Sequence, residues 1–170
     1  MKRTALIAAF ALFLGFACGS NVMAADHRLG VGTNYWHSLD DIDTSNGDID
    51  NDGFSLLASY QCWFELLGVE VDAEWLPDRF GNDAVSPQAY LLFGSIIYGG
   101  IGIGATYTDS ELTEEPFYAL KAGVNLELLP DVFVDISANY RFNDKTDLDN
   151  DNHDIDTDTI FLGAAIRFDL

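Results

Sequence analysis

Along most of this chain apolar and polar residues alternate singly, the period of a strand whose successive side chains leave opposite faces. Leu29, Val31, Thr33 and Tyr35 share one face, and Arg28, Gly30, Gly32 and Asn34 the other. A second segment sets Phe54, Leu56, Ala58, Tyr60, Cys62 and Phe64 against Ser55, Ser59 and Gln61. A third sets Val69, Val71, Ala73 and Trp75 against Glu70, Asp72 and Glu74. The fourth, around Gln88 to Ser95, is apolar on both faces, so periodicity assigns it no sides. In the fifth, Ile101, Ile103, Ala105 and Tyr107 oppose Gly100, Gly102, Gly104 and Thr106, glycines that leave room inside a narrow wall or let it bend. The sixth opposes Tyr118, Leu120, Ala122, Val124, Leu126 and Leu128 to Lys121, Gly123, Asn125 and Glu127. The seventh opposes Val132, Val134, Ile136, Ala138, Tyr140 and Phe142 to Asp135, Ser137, Asn139 and Arg141. The last opposes Ile160, Leu162, Ala164, Ile166, Phe168 and Leu170 to Gly163, Ala165, Arg167 and Asp169.

Each segment has the length of a tilted membrane-crossing strand, ~9 to 11 residues. Pro77, Pro87, Pro116 and Pro130 are expected at strand ends or in links, where a missing amide donor breaks no ladder. Three links are tight: Glu65 to Gly68, the turn near Ser95, and Leu129 to Asp131. The links between strands one and two, three and four, five and six, and seven and eight read as longer and acidic, notably Asp40 to Asp52 and Asp144 to Asp158. Short and long connections alternate in this way in a barrel that crosses an outer membrane with both termini periplasmic and the long loops outside. Tyr35, Trp75, Tyr107, Tyr118 and Tyr140 fall near the expected outer rim, and Phe64 and Phe168 near the inner one, as interfacial girdles require. A soluble β-sandwich also alternates, but it gives no reason for every second link to be acidic. The expected fold is an all-β, antiparallel, up-and-down eight-stranded transmembrane β-barrel in the outer membrane of a Gram-negative bacterium.

The first residues suit such an address. Lys2 and Arg3 precede the apolar run from Ala5 to Ala17 and the small residues ending Val22-Met23-Ala24, the layout of a cleaved export signal. We expect a signal peptide over 1–24 and a single barrel domain over 25–170. The run is shorter than the ~20 residues a spanning helix needs. A lipoprotein signal ending at Cys18 would want a branched apolar residue where Gly15 stands. Formal net charge is −20 and grows more negative once Lys2 and Arg3 are removed, so nucleic acid, with its own negative phosphates, is not an expected partner. Past the signal only Cys62 remains, which excludes an intramolecular disulfide.

The inward set combines the cations Arg28, Lys121, Arg141 and Arg167 with the anions Glu70, Asp72, Glu74, Glu127 and Asp135. Ionised groups at membrane depth are costly unless paired, and eight strands enclose a space that side chains can fill. A charge network plugging the lumen is the expectation. The alternative is a narrow cation-selective channel along Glu70, Asp72 and Glu74.

In the links, Asp48, Asp50 and Asp52 followed by Gly53 match the first half of a calcium loop. Ser59 stands where the bidentate glutamate belongs, and neither flank reads as a helix. Asp147, Asp149 and Asp151 repeat the spacing without a glycine. No cofactor is expected beyond Ca2+ held weakly by these loops, shared with anionic outer-membrane lipid. Catalysis is not expected. A lipid-modifying hydrolase would need a Ser/His/acid set, yet only His27, His37 and His153 are available, and His37 and Ser38, as strand neighbours, point to opposite faces.

Three stretches carry a family resemblance: Tyr98-Gly-Gly-Ile-Gly-Ile-Gly-Ala-Thr-Tyr107, Val132-Phe-Val-Asp-Ile-Ser-Ala-Asn-Tyr-Arg-Phe142, and Leu162-Gly-Ala-Ala-Ile-Arg-Phe168. Through them the chain resembles the small outer-membrane β-barrel superfamily of opacity-protein-like surface antigens and OmpA/OmpX-type transmembrane domains. The resemblance implies insertion by the outer-membrane assembly machinery guided by the last strand, a monomeric barrel, and a role in envelope integrity or contact with a surface or host ligand. Members of this superfamily usually end in an aromatic residue, whereas this chain ends Phe168-Asp169-Leu170.

Overall fold

Period-two patterning becomes a wall of antiparallel strands. The computed structural model describes residues 25–39, 51–79, 82–108, 111–112, 116–147 and 154–170. The expected export signal lies outside them. The strands are β1 (Asp26–Ser38), β2 (Asp52–Phe64), β3 (Leu67–Arg79), β4 (Asn82–Gly94), β5 (Ile97–Gly104), β6 (Tyr107–Thr108), β7 (Glu111–Leu112), β8 (Phe117–Leu129), β9 (Val132–Asp147) and β10 (Asp154–Asp169). β1 pairs with both β2 and β10, and the β3–β4 pairing closes the circle, so no wall strand is left as an edge. β1 to β5 and β8 to β10 form the eight-stranded barrel. β6 continues β5 along β4 in the same register and makes a small hairpin with β7. Among the described residues no helix is long and apolar enough to cross a membrane, so the crossing falls to strands.

The apolar faces turn outward. Val31, Phe54, Leu56, Trp75, Ile101, Leu120, Ile136 and Leu162 are all exposed, while Glu70, Glu74, Arg141 and Arg167 are buried. A soluble sandwich would reverse this, and a wall facing hydrocarbon requires it. β4, which periodicity could not orient, turns Ala84, Ser86, Gln88, Tyr90 and Leu92 inward and Val85, Leu91 and Phe93 outward. The inward glycines of β5 and β8 make room for rings. A Cβ on Gly102 would strike the Tyr90 ring, one on Gly104 the Phe117 ring, and one on Gly123 the Tyr98 hydroxyl.

Three turns close in two residues at the end where β1 begins and β10 ends: Glu65-Leu66, Ser95-Ile96 and Pro130-Asp131. Glu65 and Asp131 adopt left-handed φ of 57° and 65°, and Gly94 lies at 128°. The link between strands three and four departs from expectation. β3 runs to Arg79 and β4 starts at Asn82, so this connection is short and not a long acidic loop. Its hairpin stays paired beyond the expected strand ends because Leu76 and Ala84 bury against Trp36 and Phe161. Pro77 and Pro87 consequently lie inside strands. Pro77 occupies the irregularity between Leu76 and Arg79, and Pro87 faces Ala73 on β3 while its carbonyl accepts from the Ala105 amide. Most wall strands have 13 residues or more, longer than a crossing requires.

Candidate functional site

The inward side chains assemble in layers. Nearest the turns, Trp63 donates its indole N–H to Gln61 Oε1 at 2.9 Å and meets the Tyr98 ring edge-on at 6.0 Å. Next comes a charge cluster. Lys121 Nζ lies 3.0 Å from Glu70 and 3.2 Å from Asp72. Arg167 reaches Glu70 at 2.7 Å, Asp135 at 3.5 Å and Ser59 Oγ at 2.5 Å. Tyr98 donates to Asp135 at 2.8 Å, and Gln61 donates to Glu70 at 3.2 Å.

A second centre forms around Glu74, which accepts from Asn34 at 2.6 Å, Gln88 at 2.9 Å, Ser55 and Arg141. Four donors around one buried carboxylate are what an ionised group out of water requires. Above it the lumen is shut by rings and guanidinium groups. Arg141 stacks 3.8 Å from the Phe161 ring centre and 4.7 Å from that of Phe117. Arg79 lies 5.4 Å from Trp36 and 5.7 Å from Phe161. Trp36, Leu76, Arg79 and Phe161 are each no more than 1% exposed, so the layer is filled across the barrel.

Glu70, Asp72, Glu74, Lys121, Asp135, Arg141 and Arg167 thus meet in two connected centres. Arg28 and Glu127 do not join them. Arg28 sits at the rim, 3.7 Å from Asp26 and over the Phe133 ring at 3.8 Å, and Glu127 is exposed. Both lie at the turn end of their strands, where the wall meets solvent. Arg79 belongs to the lumen, although strict alternation from Glu74 would turn it outward. The irregularity at Pro77-Asp78, with Asp78 at φ 52°, shifts the parity by one.

Asp48, Asp50, Asp149 and Asp151 lie outside the described residues, and Asp147 ends β9. Asp52 opens β2, where its carboxylate accepts from the Tyr35 hydroxyl at 2.9 Å. Tyr140 makes the equivalent bond to Asp158 at 2.7 Å. Two rim tyrosines are therefore tied to acids at the bases of the loops. Among the described residues no three metal-ligating side chains converge. His37 is exposed and Ser38 buried, on opposite faces of β1, and His27 Nδ1 lies 2.7 Å from the Tyr60 hydroxyl.

No family model and no curated protein matches the chain. Solved structures do. Neisserial surface protein A superposes with a TM-score of 0.59 at 15% identity, over 87% of this chain and 100% of its own. Outer membrane protein AlkL, determined in DMPC lipid bilayers, superposes with a TM-score of 0.55 at 11% identity, over 89% of this chain and 93% of its own. At such identities the likeness shows the fold alone.

Proposed function

On a fold shared with small outer-membrane barrels, we propose that this chain is a non-catalytic, monomeric barrel of a Gram-negative outer membrane. Its acidic loops serve adhesion or envelope integrity and hold divalent cations weakly. One observation carries this reading: the segregation of charge by sign. Beyond residue 24 the cations are Arg28, Arg79, Lys121, Arg141, Lys145 and Arg167, and Arg28, Arg79, Lys121, Arg141 and Arg167 are taken up by the lumen or its rim at the turn end. The stretches Asp40 to Asp52 and Asp144 to Asp158, which span the loops and the adjoining strand ends, keep their carboxylates with almost no basic partner in sequence. Beside anionic lipid headgroups such loops repel their surroundings unless small cations lie between. A surface or host ligand bound there would be reached through those cations or would itself be basic. Insertion by the outer-membrane assembly machinery belongs to the same reading.

Calorimetry on the refolded barrel in lipid vesicles tests the cation step. Calcium is expected to give a saturable heat at millimolar concentration that magnesium competes for. Replacing Asp48, Asp50, Asp52, Asp147, Asp149 and Asp151 by Asn should abolish it. Absence of any calcium heat in the native chain would remove the divalent role.

A further inference from the structure

The charge cluster nearer the turns is unbalanced. Three carboxyl groups, Glu70, Asp72 and Asp135, face two cations, Lys121 and Arg167, and all five are buried. The donors are unevenly shared. Glu70 accepts from Lys121, Arg167 and Gln61, and Asp135 has Tyr98 on both oxygens with Arg167 beside it. Asp72 has Lys121 on Oδ2, and its Oδ1 meets no donor. Glu70 and Asp72, two apart on β3, are both buried and both meet the same cation, Lys121 Nζ.

We infer that Glu70 and Asp72 bind one proton between them at neutral pH, forming a carboxylic acid–carboxylate pair clamped by Lys121 and Arg167. The proton resides on Asp72, the member with fewer donors. It removes the one uncompensated negative charge from a space where an unpaired ion is expensive. Among the described residues no other group facing the pair supplies that charge. Glu74 on β3 and Arg141 on β9 neutralise each other. Ser59 and Gln61 on β2, Gln88 and Tyr90 on β4 and Tyr98 on β5 are uncharged there, and Asp135 adds a negative charge. The site concerns the lumen alone and stands whether or not the loops bind calcium.

Infrared spectroscopy of the refolded protein at neutral pH tests it. The wild type is expected to show a protonated-carboxyl C=O band that disappears in Asp72→Asn and persists in Asp83→Asn, a change at an exposed acid. Asp72→Asn, a neutral side chain of the same shape as the protonated acid, should keep the unfolding midpoint in urea. Glu70→Gln, which strips both cations of their shared anion, should lower it. Lack of the band in the wild type, its persistence in Asp72→Asn, or a loss of stability in Asp72→Asn equal to that in Glu70→Gln would overturn the inference.

Discussion

Single residues differ widely in what they hold, and burial of the partner decides how much. Arg141 neutralises Glu74 with both side chains fully buried, and it also fills the space between the Phe161 and Phe117 rings. Arg141→Ala is expected to cost ~3–5 kcal/mol, the penalty for leaving a buried charge alone, read as a lower urea midpoint. Arg141→Lys should recover only part of it, because an ammonium lacks the planar face that stacks on rings. At the rim, Arg28 has an exposed partner in Asp26, so Arg28→Ala should move stability by about 1 kcal/mol or less. The glycines give a second contrast. A methyl on Gly102 would enter the Tyr90 ring, whereas one on Gly99 would meet nothing nearer than 3.8 Å. Gly102→Ala is therefore expected to cost ~1–3 kcal/mol through overpacking, with Gly99→Ala within ~0.5 kcal/mol of wild type, both measured by equilibrium unfolding in detergent.

Strands and turns show how far alternation reads the chain. Seven strands had sides legible from polarity because one face meets hydrocarbon and the other a polar interior, so a single step of register would exchange the two. β4 was illegible because its inward residues include Tyr90 and Leu92, as apolar as the outward ones. The same ambiguity hid Trp36, Trp63, Tyr98, Phe117 and Phe161, rings on the inner face that polarity alone does not distinguish. Arg79 was hidden differently, by an extra residue that resets parity where Pro77 removes a donor. Of the candidate site, the charged pairs in mid-strand were readable and the aromatic lid was not, since cation–π stacking leaves no periodic trace. Turn backbone supplies the test at this scale. Glu65 holds a left-handed conformation that costs an L-residue ~1–2 kcal/mol. Glu65→Gly is expected to raise the unfolding midpoint, by about 1 kcal/mol once the greater freedom of unfolded glycine is offset.

At the scale of the whole molecule, the barrel is a closed wall around a filled interior. The layer of Trp36, Leu76, Arg79 and Phe161 crosses the lumen above the Glu74 centre, and eight strands leave little width beyond what side chains occupy. Planar-bilayer recordings of the refolded protein should accordingly show no steady conductance. The double change Trp36→Ala with Phe161→Ala should admit intermittent ion flow. Steady current through the wild type would require the lid to move. Drawing nearly every basic residue into the barrel also bears on proteolysis. Trypsin cuts only after lysine or arginine; five of the six basic residues beyond residue 24 lie in the lumen or at its turn-end rim, and the sixth, Lys145, falls near the loop end of β9. Intact cells treated with trypsin should yield a single nick that reports which way the barrel points, while a misfolded chain is cut at every basic site it has.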